Sequence, residues 1–150
     1  MNITIRNATI EDVDNGLLDV FIEGYKVHQK ARPDIFLCTD NDILRQNLIN
    51  SMENSTVLVV LNDESIVGYL SYIIKGNKSK KMNVDELVIL EKYRGKGLGK
   101  RMINEAKKKA KENNCDRIEL NCWLFNENAL AMYEHIGFKK QRIMYEMKIK

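Results

Sequence analysis

The stretch DELVILEKYRGKGLGKR, Asp85 to Arg101, joins a strand to a helix through three glycines at alternate positions. Val84, Leu87, Val88, Ile89 and Leu90 form an apolar, partly β-branched run of strand length, and the polarity changes at Glu91. Beyond the glycines, Leu98, Met102, Ile103, Ala106 and Ala110 recur at helical spacing, with Lys and Arg on the other face. Gly95, Gly97 and Gly99 remove side chains, so main-chain N–H groups can converge and a ligand can approach the backbone closely. The following helix N-terminus adds unpaired donors and the positive end of its dipole. With Arg94, Lys96, Lys100 and Arg101 around it, the expected guest is a phosphate or pyrophosphate.

Two familiar phosphate loops fail on spacing. The P-loop needs four residues between its first Gly and a Gly-Lys pair, and the dinucleotide fingerprint needs a third Gly where none stands here. A flexible Gly-Lys turn is the plain alternative. What does match is R-x-x-G-x-G at Arg94, Gly97 and Gly99, which resembles the acyl-CoA signature of the GNAT superfamily of N-acetyltransferases. A second segment, NENALAMYEHIGF (Asn126 to Phe138), resembles that family's second signature at Asn126, Ala129, Met132, Tyr133, Gly137 and Phe138. Read from its residues alone, it is a helix N-capped by Asn126 and stopped by Gly137, with Ala129, Leu130 and Tyr133 on one face.

The remaining pattern agrees. Residues 2–7 read as a strand, and Thr9-x-x-Asp12 opens a helical run through Val13, Leu17, Leu18, Phe21 and Tyr25. A second helix starts at Thr39 or Asp40 and runs through Ile43, Leu44, Leu48 and Met52. Residues 56–61 and 65–74 form a hairpin about Asn62-Asp63-Glu64. Strand 82–90, helix 97–113, strand 117–123, helix 127–136 and a closing strand within 138–149 follow. This β-α-α-β-β-β-α-β-α-β order is that of the GNAT fold, an α/β class with a splayed mixed sheet and helices on both faces.

Composition sets limits. The chain has 150 residues, 44% of them hydrophobic, and no linker or repeat divides it, which predicts one domain over 1–150. MNITIRNATI lacks the layout of a signal peptide, and no apolar run reaches membrane-spanning length, so a cytoplasmic location without a membrane partner is expected. Cys38, Cys115 and Cys122 are odd in number and lack metal-ligand or CxxC spacing, which suits free thiols and gives no metal site. Net charge is +3, and Lys107, Lys108, Lys109 and Lys111 interleave with Glu105 and Glu112 without aromatic partners. A solvated helix face accounts for them better than a nucleic-acid patch.

The resemblance implies an acetyl-CoA-dependent transfer of an acetyl group to a primary amine of a small molecule or peptide. It places the pyrophosphate on Arg94, Gly95, Lys96, Gly97, Leu98, Gly99 and Lys100, with Asn126 and Ala129 also beside the cofactor. It puts the backbone of Leu87, Val88 and Ile89 at the acyl carbonyl, and Tyr133 as proton donor to the departing thiolate. An acceptor amine has an ordinary pKa near ~10.4, so a base must take its proton. Asp85 and Glu86 are the candidates. Strand alternation sends them to opposite faces, so only one should look into the cleft, although a bulge would change the faces. Alignment on the strand favours Asp85, with Asn83 on its face and Glu86 second. Some relatives carry a Glu where Asn121 stands, and an amide cannot serve as base.

The acceptor side is expected between the first two helices, at His28, Arg32, Pro33, Asp34 and Phe36, where HQKARPDIF resembles small bacterial members of the family. Asp34, Asp85 and Glu86 would favour a cationic amine, while His28 reads as a helix-end surface residue. GNAT proteins often dimerise through their terminal strands, which directs attention to residues 138–149. Two other functions stay open, an acyl-CoA-binding regulatory module without turnover and nucleic-acid binding through the lysine helix.

Overall fold

The computed structural model describes residues 1–150. Five strands lie in the order β1-β2-β3-β4-β5: β1 Ile3–Asn7, β2 Thr56–Asn62, β3 Ser65–Lys75, β4 Lys80–Ile89 and β5 Cys115–Leu120. The first four pair antiparallel, and β4 pairs β5 in parallel through the crossover helix α3 (Leu98–Glu112). This is a mixed α/β sheet flanked by helices. Helices α1 (Leu17–Ala31) and α2 (Asn41–Asn54) cover one face, over a core that includes Leu17, Val20, Leu48, Val59 and Tyr69. Helix α3 covers the other, over Leu58, Leu70, Met82, Met102 and Ile103. Helix α4 (Glu127–His135) lies at the open end of the sheet, with Tyr133 and Phe138 packed on that second core.

Four expectations need correction. The run opened by Thr9 is not one helix: a 3-10 turn over Ile10–Asp14 precedes α1, and Gly16 at φ 118° separates them. Asp12 holds this turn, accepting from Thr9 N at 2.7 Å and from both Arg6 guanidinium nitrogens at 2.8 and 2.9 Å. Strand β4 starts at Lys80, and β5 spans 115–120 rather than 117–123. The early end of β5 leaves residues 121–125 as a loop beside the cleft. Finally, no closing strand forms after Phe138, and residues 139–150 carry no regular structure.

Candidate active site

The glycine loop presents unused donors. The first turn of α3 is closed by Arg101 N donating to Gly97 O, and the amides of Gly95 through Lys100 have no backbone acceptor. Gly95 and Gly97 stand at φ 75° and 79°, the left-handed region that costs an ordinary L residue ~1–2 kcal/mol. A Cβ at either would meet nothing within 4 Å, so backbone conformation rather than crowding calls for glycine there. No acidic side chain stands in the first turn to neutralise the donors. Arg94 braces the loop, its Nε donating to Ile89 O at 2.9 Å. Lys96 lies over the Tyr93 ring at 5.4 Å, and Lys100 is exposed. Leu98 contributes only its amide, because its side chain is buried in the core. Gly99 acts differently again: a Cβ there would come within 2.6 Å of Met132 Sδ, so α3 and α4 touch at this point and the two sequence motifs meet.

Beside the loop the sheet opens. The β4–β5 rungs run from Lys80 to Val84 and stop. Leu90 N donates to Val67 O across the β3–β4 ladder, so alternation turns Val88 toward β3 and leaves the amides of Leu87 and Ile89 facing the gap. The Ile89 carbonyl, taken by Arg94, points the same way. Of the three expected backbone donors, two are therefore available, and Val88 instead packs its side chain into the α1-side core.

A bulge on β4 settles where the acids stand. Ser71 pairs Glu86 and Tyr72 pairs Val84, so Asp85 is the extra residue without a partner. Both Asp85 and Glu86 consequently line one cavity of about 90 Å3, contrary to the alternation argument. Their surroundings differ. Glu86 is half-buried and accepts from Tyr69 Oη at 2.8 Å. Burial pushes its carboxyl above the ordinary range, more than the Tyr69 hydrogen bond and nearby His28 pull it down. Asp85 is exposed and accepts from Asn83 Nδ2 at 2.7 Å. Across the cavity stand Asn121, Cys122, Asn126 and Tyr133. Burial, with the Cys122 thiol adding to it, pushes Tyr133 up to about 12, so its phenol keeps its proton through the neutral range.

An open sheet, a free-amide loop at the start of α3 and a half-buried carboxylate on β4 agree with the family model for acetyltransferases (GNAT), which matches residues 20–138. The chain belongs to the GNAT family. An N-alpha-acetyltransferase of Saccharolobus solfataricus is 30% identical over 96 residues, covering 57% of this chain and 58% of that protein. A spermine/spermidine N(1)-acetyltransferase of Bacillus subtilis is 32% identical over 80 residues, covering 49% and 53%. The chain thus spans less than two thirds of these relatives' lengths. Among solved structures, a mutant of the BH1408 protein of Bacillus halodurans superposes with a TM-score of 0.87 at 25% identity, covering 98% and 99% of the two chains.

In this GNAT chain the side of the cavity between α1 and the 121–125 loop is aromatic. His28 and Phe36 meet at 5.3 Å between ring centroids, Phe36 meets Trp123 at 6.1 Å, and Trp123 stacks on Phe125 at 5.7 Å. His28 is not a surface residue but lines the cavity. Its Nδ1 lies 2.9 Å from Gly24 O and donates to it. The Arg32 guanidinium lies 5.2 Å from the Trp123 centroid, gripped by Asp34 at 3.0 Å and Glu146 at 2.7 Å. Asp34 is therefore engaged at the rim and contributes no free carboxylate to the cleft. Trp123, Phe125, Cys122 and Tyr69 were not among the expected site residues. The signal for two of them was present: the sole tryptophan lies two residues before a phenylalanine, directly ahead of Asn126.

Proposed function

We propose that the chain is an acetyl-CoA-dependent N-acetyltransferase acting on a primary amine of a small molecule or peptide, by direct attack with both substrates bound. The observation that carries this reading is Glu86, a carboxylate with raised proton affinity held between the open strand edge and the aromatic wall. A base works best when its pKa approaches the operating pH. Glu86 takes the amine proton as the nitrogen–carbon bond forms, and Asp85, on the same cavity, attracts and orients the cationic acceptor. The free amides of Leu87 and Ile89 supply preorganised donors to charge developing on the acyl oxygen. The carbon–sulfur bond breaks, and the Tyr133 phenol gives its proton to the thiolate. Acetyl-CoA supplies the acyl group as a thioester, and the amides of Gly95 through Lys100 fit its pyrophosphate.

The named relatives transfer to amines, an α-amine in one case and a polyamine in the other, which supports a cationic acceptor. Three free cysteines support a cytoplasmic setting. The test pairs calorimetric titration of acetyl-CoA with release of CoA thiol over a panel of amines. Micromolar binding weakened in Gly97→Glu, with turnover lowered in Glu86→Gln, is the expected result. Binding without turnover on any amine would instead leave an acyl-CoA-binding module, and no binding by folded protein would overturn the proposal.

A further inference from the structure

Residues 139–150 form no helix or strand, and none of their backbone groups bonds to another backbone group. Side chains decide where the segment goes. Gln141 Nε2 donates to Glu119 Oε2 at 3.0 Å, and five residues on Glu146 takes Arg32 in a two-pronged bond, 2.7 Å from Nη1 and 3.2 Å from Nη2. The segment thus crosses from β5 to the end of α1. The same Arg32 guanidinium lies 5.2 Å from the Trp123 centroid, and Trp123 lines the cavity with Asp85 and Glu86. Glu146 therefore brings the segment to the rim of the candidate active site.

What it carries there is an amine. Lys148 lies two residues beyond Glu146, a stretch of at most ~7 Å. Its charge joins that of Arg32, the larger cause, in holding the Asp34 carboxyl below the ordinary range, which places the ammonium near Asp34. Both rim carboxylates, Asp34 and Glu146, are already taken by Arg32, so Lys148 is exposed and held by no ion pair. Other lysines of the segment stand elsewhere: Lys140 pairs with Glu134 at 3.3 Å, and Lys139 lines a groove beside β5.

We propose that Lys148 is itself an acceptor, acetylated in the active site of its own chain. This rests on the transfer reaction proposed above and names one amine that the same site serves. An ion pair as exposed as Arg32–Glu146 favours the closed arrangement by only ~5-fold. Once it lets go, residues 142–148 are free to carry Lys148 from the rim into the cavity, where Asp85 and Glu86 attract an ammonium. The tether holds that amine at an effective concentration on the order of millimolar, so it competes with free acceptors. In the transfer the Lys148 ammonium gives up two protons and its nitrogen bonds to the thioester carbon. The carbon–sulfur bond breaks, the leaving thiolate takes one proton, and the other passes to solvent, leaving a neutral acetamide and CoA thiol. Arg32, Asp34, Glu146 and Lys148 would then change from balanced charge to an excess of one negative.

The test is mass spectrometry of the full chain incubated with acetyl-CoA and no added amine, with the modified residue located by peptide mapping. The expected result is one acetyl group per chain, on Lys148, gained with a first-order rate constant that stays the same over about a hundredfold range of protein concentration. The urea-unfolded chain should not gain it, and Lys148→Arg should stay unmodified while still acetylating added amines. Acetyl groups spread over several lysines, or an equal rate in the unfolded chain, would mean direct chemical acylation and overturn the proposal. A rate constant that rises with protein concentration would mean transfer between copies and overturn it as well, as would no modification at all. Added amines assayed alongside tell the two failures apart: if they are acetylated while Lys148 is not, the proposed reaction stands and this inference alone falls. The wild-type map decides the matter even if the variant fails to fold.

Discussion

The two walls of the cleft are made in opposite ways. The wall formed by residues 94–100 is one continuous loop whose chemistry is main-chain amide, placed by the backbone angles of Gly95 and Gly97. The wall opposite is assembled from side chains of four separate segments: His28 and Phe36, Tyr69, Asp85 and Glu86, then Trp123 and Phe125. A backbone site can be altered by a single residue's geometry but hardly by its side-chain chemistry. A side-chain site behaves the other way round, so changes to the two walls should appear in different kinetic constants.

The largest effect is expected on the side-chain wall. Glu86→Gln should lower kcat by ~10²- to 10⁴-fold, the usual worth of a positioned base, with acetyl-CoA affinity unchanged. An unchanged kcat would move the base to Asp85 or to water. Because burial raises the Glu86 pKa, wild-type kcat/KM should fall as pH drops through a value above ~4.3, the ordinary Glu value. The stability sign is opposite to that of a salt-bridged acid. A raised folded-state pKa makes ionised Glu86 a cost to the native state above its unfolded pKa, relieved as pH falls through the folded value. Glu86→Gln should therefore melt no lower than wild type at pH 7, a check that separates chemistry from packing.

On the backbone wall, Gly97→Glu should weaken acetyl-CoA binding about 10- to 100-fold, through left-handed strain and a like charge at the donors. Titration should register that loss while the acceptor KM stays put. A parallel rise in the acceptor KM would mean the walls are not independent. Tyr133→Phe should lower kcat about 10-fold, below the usual ~10²- to 10⁴-fold for proton transfer, since a thiol with pKa ~8.5 is already a fair leaving group. The smallest effect is Trp123→Ala, about 5-fold on the acceptor KM alone, through loss of ~1 kcal/mol of aromatic contact and of the Arg32 seat.

The same contrast explains what could be read in advance. Strand, loop and α3 follow from consecutive residues, and the pattern Arg94-x-x-Gly97-x-Gly99 is local, so the family and the fold were legible. The bulge at Asp85 was not, because an unpaired residue is defined by the partner strand, at Ser71 and Tyr72. His28 looked like a helix-end residue for a similar reason. Its neighbours Phe36 and Phe125 come from other segments, and local periodicity cannot supply them. The alternation of 143–149 reads clearly as a strand, yet forming one takes a pairing edge that lies outside the segment.

The rungs between β4 and β5 end at Val84, and a bound ligand would stand where further rungs would have been. Mass action then makes that ligand part of the fold. At a hundred times its dissociation constant it would add ~2.7 kcal/mol to the stability of the native state, and the melting temperature should climb with the logarithm of its concentration. Purified without it, the protein should be softest between β4 and β5, the seam that the ligand closes.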